Sequence, residues 1–425
     1  MFFCILTYWK RVKMKFKNAW VLDEKQSLVQ KNVYIDQDIV VDANDEMEEL
    51  DCSHLLVLPG MVNAHFHGTS TVTRGLFMDM PVAQWLNDTP QGQLQQRFVN
   101  ALNHCTEEEK IQLSLYEYMS MLKQGITTVF DCRLFQQDYQ AKKRAGELCG
   151  IRLTLEADDP SQLEDQELLK TALPLPEESS WSQDRCSQAQ FWKQNHPQTM
   201  FKAHCMETDL AAEAIRSKGY QHTIEAYAQA GMLDEHSVLI HNCKAPAEAI
   251  QLAAKRGARM INCPISNLKS QNGVSPLKMM LDQGIEIGLG TDWGRLQFMD
   301  VMKCEYLLLR DQHVLNPAQI VWKMATEWGA RCCGWPQTGC LKPGMQADLI
   351  FIRMDEPDFQ PLISTPQFSD VLQNWVFDGR SEWIEHVMVA GQWKVKNRKV
   401  CVLNEAELIV QQRQLMKKLI SETLK

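Results

Sequence analysis

A chain of 425 residues with 45% hydrophobic and 23% charged residues has ordinary globular usage, which argues against a disordered, collagen-like or coiled-coil protein. Lys and Arg total 44 against 53 Asp and Glu, a net charge of −9, so no basic excess is present to meet a phosphate backbone and nucleic acid is not an expected partner. Fourteen cysteines at irregular spacings, with no CxxC and one adjacent pair, Cys332-Cys333, read as reduced thiols in a cytoplasmic protein.

Met1 to Trp9 is apolar, but Lys10, Arg11 and Lys13 follow the run instead of preceding it. That order does not fit a secretory signal. Residues 1–13 are expected to be an N-terminal extension ahead of a start at Met14. No stretch approaches the roughly 20 apolar residues that span a membrane. Residues 15–59 read as short strands (AWVLD, NVYID, DIVVD, HLLVLP) broken by polar turns, which is a β module. At Gly60 the pattern changes. Apolar runs GITTVFD (125–131), IRLTLEA (151–157), TMFKAHC (199–205), SVLIHNC (237–243), ARMINCP (258–264) and IEIGLGTD (285–292) alternate with helical candidates near 107–124, 136–149, 245–257, 274–284, 298–313 and 317–333. Near-continuous apolar strands between helices imply a parallel sheet covered on both faces, and the number of repeats favours a closed, TIM-like (β/α)8 barrel. After Gly339 strand sequence returns in LKPGMQADLIFIR and EHVMVAGQWKVKNRKVCVL. The expected α/β architecture is therefore a barrel over 60–340, a small β-sandwich-like domain built from both chain ends (14–59 and 341–402), and a C-terminal helix over 403–425.

Chemistry first shows at His65-Phe66-His67, directly after LPGMVNA. Residues i and i+2 on a strand share a face, so both imidazoles can point into the barrel. With 11 His in 425 residues, about 0.3 such pairs arise by chance, so the motif alone decides little. Other candidate ligands fall at the same end of their strands: His204 closes TMFKAH, His241 closes SVLIH and Asp292 closes IEIGLGTD. Active sites of these barrels lie on that face. Three imidazoles and a carboxylate suit zinc, or a similar divalent ion such as Fe2+, with a position left for water. Glu207, three residues after His204 in HCMETD, can reach back over that water as a general acid/base.

Taken in order, LPGMVNAHFHGTSTVTRGL, HCMETD, LIHNC, NCPISNLK, GLGTD and LKPGMQADLIFI resemble the amidohydrolase superfamily, in its branch of metal-dependent deaminases and chlorohydrolases (triazine hydrolase-like). The resemblance runs from about residue 15 to 402. It implies one metal held by His65, His67, His204 and Asp292, with Glu207 as proton shuttle. It makes His241 the histidine that polarises the hydrolytic water or steadies the oxyanion, and adds Asp292 to Glu207 and His241 as catalytic. Binuclear members carry a modified lysine at the end of strand four; the region 158–198 offers no strand ending in Lys, so a single ion is expected.

The sequence departs from those relatives where substrates are recognised. The usual strand four with its Pro-His pair is missing between IRLTLEA and TMFKAH, and TALPLP is the sole strand candidate. Relatives acting on adenosyl thioethers place a ribose-binding Glu after the segment that here reads MPVAQWL, and this chain continues NDTPQGQLQQ. A nucleoside is disfavoured. Guanine-specific relatives follow their histidine pair with Pro-Gln, and here Gly68-Thr69 follows. Trp293, beside Asp292, can stack on a flat ring or pack under the next helix. Trp85, Ser266, Asn267 and Arg74 complete the candidate substrate contacts. Their plain alternatives are core for Trp85, a cap or turn for Ser266 and Asn267, and a solvated guanidinium for Arg74.

The leading expectation is hydrolytic deamination of a small amino-substituted heterocycle of the purine, pterin, pyrimidine or triazine type. An alternative keeps the machinery and breaks a carbon–chlorine or cyclic amide bond; Glu207 tilts away from it, because an amine must be protonated to leave. A non-catalytic scaffold is a third reading, and should have lost ligands that are all present here. The expected partner is a small-molecule substrate, with a homodimer left open.

Overall fold

Period-two alternation over residues 14–21 and 33–35 places one face of the two longest N-terminal strands in a core. The computed structural model describes residues 12–43, 47–77, 80–133, 138–294, 296–365 and 367–425; Met1–Arg11, most of the expected extension, lies outside the described residues. The strands are β1 (Val12–Leu22), β2 (Leu28–Gln37), β3 (Ile39–Val41), β4 (Glu48–Asp51) and β5 (Leu55–Pro59). β1 begins two residues before Met14, with Val12 and Lys13 paired to Gln37 and Asp36. Those two residues are therefore sheet, a correction to the expected start of the module.

The eight parallel strands of the barrel are β6 (Met61–His67), β7 (Ile126–Cys132), β8 (Arg152–Glu156), β9 (Leu169–Pro174), β10 (Met200–Cys205), β11 (Ser237–His241), β12 (Arg259–Asn262) and β13 (Ile287–Leu289), in that spatial order. Closure comes from Asp292, which bridges Phe66 and donates its backbone N–H to the His65 carbonyl at 2.9 Å. TALPLP is thus strand four. It is reached from β8 across a single 3₁₀ turn, Pro160–Gln162, so this crossover carries no α-helix.

The remaining crossovers carry α1 (Pro90–Asn103) and α2 (Glu107–Lys123) after β6, α3 (Tyr139–Cys149) after β7 and α4 (Gln183–Asn195) after β9. They continue with α5 (Asp209–Arg216) and α6 (Thr223–Gln229), α7 (Ala247–Lys255), α8 (Pro264–Lys269) and α9 (Leu277–Asp282), then α10 (Phe298–Asp311), α11 (Pro317–Met324) and α12 (Glu327–Cys332). Leu153, Leu155, Phe201 and Leu239 pack outward on these helices, whereas Val62, Ala64, Phe130, Ala172, Val238, Ile240 and Ile261 form a separate cluster inside the barrel.

The chain then returns to the first sheet through β14 (Leu349–Arg353), followed by α13 (Val371–Asp378), β15 (Ile384–Val389), β16 (Gln392–Lys396), β17 (Lys399–Val400) and the final helix α14 (Glu405–Thr423). The resulting nine-stranded sheet runs β17-β16-β15-β14-β5-β1-β2-β3, with β4 beside β1. β14 pairs antiparallel with β5, and Phe16 meets Phe351 edge-on at 4.8 Å between ring centres. This sheet is bolted to the barrel. Arg152 on β8 forms a buried two-point pair with Asp348, at 2.8 and 3.0 Å, and β5 runs through Gly60 straight into β6. A Cβ at Gly60 would fall 2.2 Å from Thr127 Oγ1, so only glycine lets the two bodies join there.

Candidate active site

The two histidines of the HFH motif reach the barrel interior by a bulge. Between β6 and β7 the register steps from Asn63↔Val129 to Phe66↔Asp131, three residues against two, which resets the alternation. Ala64 and His65, adjacent in sequence, can therefore both serve the interior. His204 faces inward by ordinary alternation with Lys202, opposite the outward Phe201 and Ala203. His241, the last residue of β11, and Asp292, three residues past β13, sit in left-handed backbone, φ 73° and 57°, a conformation that costs about 1–3 kcal/mol and clusters at functional sites.

These side chains converge. Asp292 Oδ1 lies 3.2 Å from His65 Nε2 and 3.3 Å from His67 Nε2, and His67 Nε2 lies 3.3 Å from His204 Nε2. Edges of that length belong to a tetrahedron whose corners sit about 2.0 Å from its centre, the Zn–N and Zn–O distance. His65 Nε2 is buried and makes no hydrogen bond despite this proximity, as suits a lone pair aimed at a cation. Donor atoms of His65, His67 and His204 all lie within 4.8 Å of one another, as do those of His65, His241 and Asp292. The two sets share His65 and mark one site.

The surroundings orient the donors. His204 Nδ1 hydrogen-bonds Glu177 Oε1 at 2.6 Å and His65 Nδ1 lies 3.2 Å from Cys132 Sγ; such partners fix which ring nitrogen faces a metal. Burial would raise the Asp292 pKa, but the imidazoles packed round it, His65 foremost and then His241 and His67, hold the carboxyl well below its usual range. Burial pushes His65 down to about 4 and holds His67 well below the usual imidazole range, so both are neutral donors. β9 ends in Pro174, and its lysine, Lys170, pairs with Asp165 at 3.1 Å. Lys202, two residues before His204 on β10, is tied to Glu156 at 2.8 Å.

Glu207 sits between β10 and α5, just ahead of the cap residue Thr208. Asn272 Nδ2 donates to its Oε1 at 2.7 Å, and its Oε2 lies 3.8 Å from His241 Nε2. Above the cluster opens a cavity of about 520 Å³ lined by Trp85, Trp293 and Val82 on one side, by Leu210, Ala211 and Ala214 on another, and by Glu177, Glu207 and Ser266. The two indoles stand 5.3 Å apart with Phe77 packed against both, at 4.8 and 5.2 Å.

The structure brings together His65, His67, His204, His241, Asp292 and Glu207, with Trp85, Trp293 and Ser266 on the wall. Asn267 is elsewhere: it is buried behind His241 and hydrogen-bonds Nδ1 at 2.8 Å, so it reaches the histidine rather than the substrate space. Arg74 is exposed and turned back on the Thr71 carbonyl at 2.9 Å, which takes it off the wall. Sequence reasoning missed Glu177 and Asn272. Glu177 carries the same signal that singled out His204, a polar residue just past the end of a barrel strand, but strand four was too faint to show it.

The amidohydrolase family model matches residues 56–394. The 5-methylthioadenosine/S-adenosylhomocysteine deaminase 1 of Syntrophus aciditrophicus is 27% identical over 403 residues, covering 88% of this chain and 87% of its own. Among solved structures, a zinc-bound adenosine deaminase from Xanthomonas campestris superposes with TM-score 0.83 at 20% identity, over 96% of this chain and 99% of its own. Triazine hydrolase from Arthrobacter aurescens gives 0.80 at 20% identity, over 96% and 100%. These likenesses show the shared fold, and the family match spans most of the sequence. The chain belongs to the amidohydrolase family.

Proposed function

We propose that this protein is a metal-dependent aminohydrolase that replaces the exocyclic amine of a small heterocycle with oxygen, consuming one water and releasing one ammonia. The observation that carries the reading is Glu207, held by Asn272 beside His241 and above the His65/His67/His204/Asp292 cluster. The deaminase names of similar proteins support it.

The donor set fits one divalent ion, zinc in preference to Fe2+, because the distances are tetrahedral and no lysine closes strand four. Such an ion supplies Lewis acidity, which brings the pKa of water down to about 7. The chain does the rest. Glu207 takes a proton from the attacking water and hands it to the amine nitrogen, which leaves as ammonia. Asp292, its charge stabilised by the histidines, keeps the cluster in register. Trp85 and Trp293 present aromatic faces to a flat ring. Free, mostly buried thiols are in keeping with a cytoplasmic location, and among the described residues no helix is long and apolar enough to cross a membrane.

The test is ammonia release from purines, pterins, pyrimidines and triazines, with metal content measured on the same sample. Release from at least one class, with about one equivalent of metal per chain, is expected. Silence across all four classes in metal-loaded protein would overturn the reading, and two equally tight equivalents would overturn the single ion.

A further inference from the structure

A chain of buried polar groups runs outward from His241 to the helix layer. His241 Nδ1 meets Asn267 Oδ1 at 2.8 Å, Asn267 Nδ2 meets Asn262 Oδ1 at 2.9 Å, and Asn262 Nδ2 meets Glu305 Oε2 at 2.6 Å. Ser275 Oγ adds a second contact to Asn262 Oδ1 at 2.8 Å and reaches the His241 carbonyl at 2.7 Å. Asn262, Asn267, Ser275, Glu305 and His241 are all nearly or fully buried. Nothing in the catalytic cycle described above uses Asn262, Asn267 or Glu305.

We infer that this relay fixes the tautomer of His241, with hydrogen on Nδ1 and a bare Nε2 facing the reaction space, and that Asn267 is the positioning residue that enforces it. The polarity follows from the ends. Glu305 Oε2 accepts from the Asn262 amide, which leaves Asn262 Oδ1 to accept from Asn267, which in turn aims Asn267 Oδ1 at His241. A carbonyl oxygen only accepts, so the ring N–H must lie on Nδ1, and a neutral imidazole has no second hydrogen. Glu305 Oε1 is buried with no hydrogen-bond partner, an arrangement that stability alone does not favour.

The consequence concerns the water. With Nε2 bare, His241 and Glu207 are two acceptors 3.8 Å apart at one site, matched to the two hydrogens of a single water. Both hydrogens are then turned towards protein and a lone pair is left for the ring carbon. His241 thus begins the reaction as an acceptor rather than as an oxyanion donor. This role rests on the deaminase reading; the tautomer itself does not.

The direct test is a two-bond proton–nitrogen correlation spectrum of the zinc-loaded, full-length protein labelled with ring-15N histidine, the His241 signal being assigned by its loss in His241→Gln. The expected pattern at neutral pH is the Nδ1–H tautomer. An Nε2–H tautomer would mean that the relay runs in the opposite direction, with Glu305 Oε2 donating to Asn262, and either that or an imidazolium would overturn the inference. On an amine substrate from the panel, Asn267→Ala should lower kcat about 10²-fold with KM within about threefold and zinc content unchanged. Asn267→Asp, which keeps an acceptor opposite Nδ1, should return kcat to within about tenfold of wild type; equal losses in both variants would sink the positioning role. If no compound releases ammonia, the deaminase reading falls while the spectrum still decides the tautomer.

Discussion

Each residue of the centre has a separable duty. Glu207→Gln keeps shape and hydrogen bonding but removes the base, so the rate should fall 10²- to 10⁴-fold while metal content stays at the wild-type level. His204→Ala should lose both. Assay and elemental analysis on the same preparations separate the duties, and a Gln variant above about a tenth of wild-type kcat would take Glu207 out of the mechanism. Glu305 makes a second, independent prediction. Burial pushes its pKa from 4.5 up to about 8 against the lowering effect of Asn262. The native carboxyl therefore keeps its proton where the unfolded one has lost it. That contribution is fully present below about pH 4.5 and drains away as pH rises through about 8. Glu305→Gln has nothing to titrate, so its melting temperature should decline less than wild type between pH 6 and 8. Parallel declines would show that the group is not perturbed. The ligands were legible because a metal site needs several of the scarcest side chains at one end of the barrel. Glu305 was not, since a Glu in an amphipathic helix reads as solvated, and the partner that buries it, Asn262, lies 43 positions away.

At the scale of elements, the site depends on how strands end. Gly290 follows β13, and a Cβ there would meet His65 Cβ at 2.7 Å and Cys263 Sγ at 2.9 Å. Gly290→Ala must displace the strand carrying two ligands, so it should lower metal occupancy and melting temperature together; wild-type zinc content in the variant would refute the tight-packing account. The long apolar strands and helices α2, α3 and α10 were plain in the sequence, since each carries its own period. α1 was missed. Its Gln-rich sequence shows no strong apolar stripe, and Phe98, Ala101 and Leu102 find their cover in Leu415 and Leu419 of α14, a partner more than 300 residues on. The single helix expected over 317–333 is two, broken at Thr326 (φ −136°, ψ −97°), where the Ala325 carbonyl turns to accept from Val62 N–H at 2.7 Å. That tertiary contact leaves no local mark.

Over the whole molecule, two bodies act as one because charge is buried between them. Arg152 and Asp348 are almost wholly excluded from solvent, and Asp348 also accepts from the Ala390 N–H at 2.8 Å. Asp348→Asn leaves the guanidinium buried without its counter-charge, and the expected loss is about 3–5 kcal/mol, read from denaturant midpoints at unchanged slope. A loss below about 1 kcal/mol would show that the junction does not hold the bodies together. With the barrel so braced, its open end keeps the four expected metal ligands, His241 and Glu207 around one small volume. The decisive measurement is ammonia release by the intact protein after chelation and stepwise return of zinc: release should vanish on chelation and recover linearly to a plateau at one zinc per chain. Undiminished release from the metal-free protein, or a plateau reached only at two, would contradict a single catalytic ion.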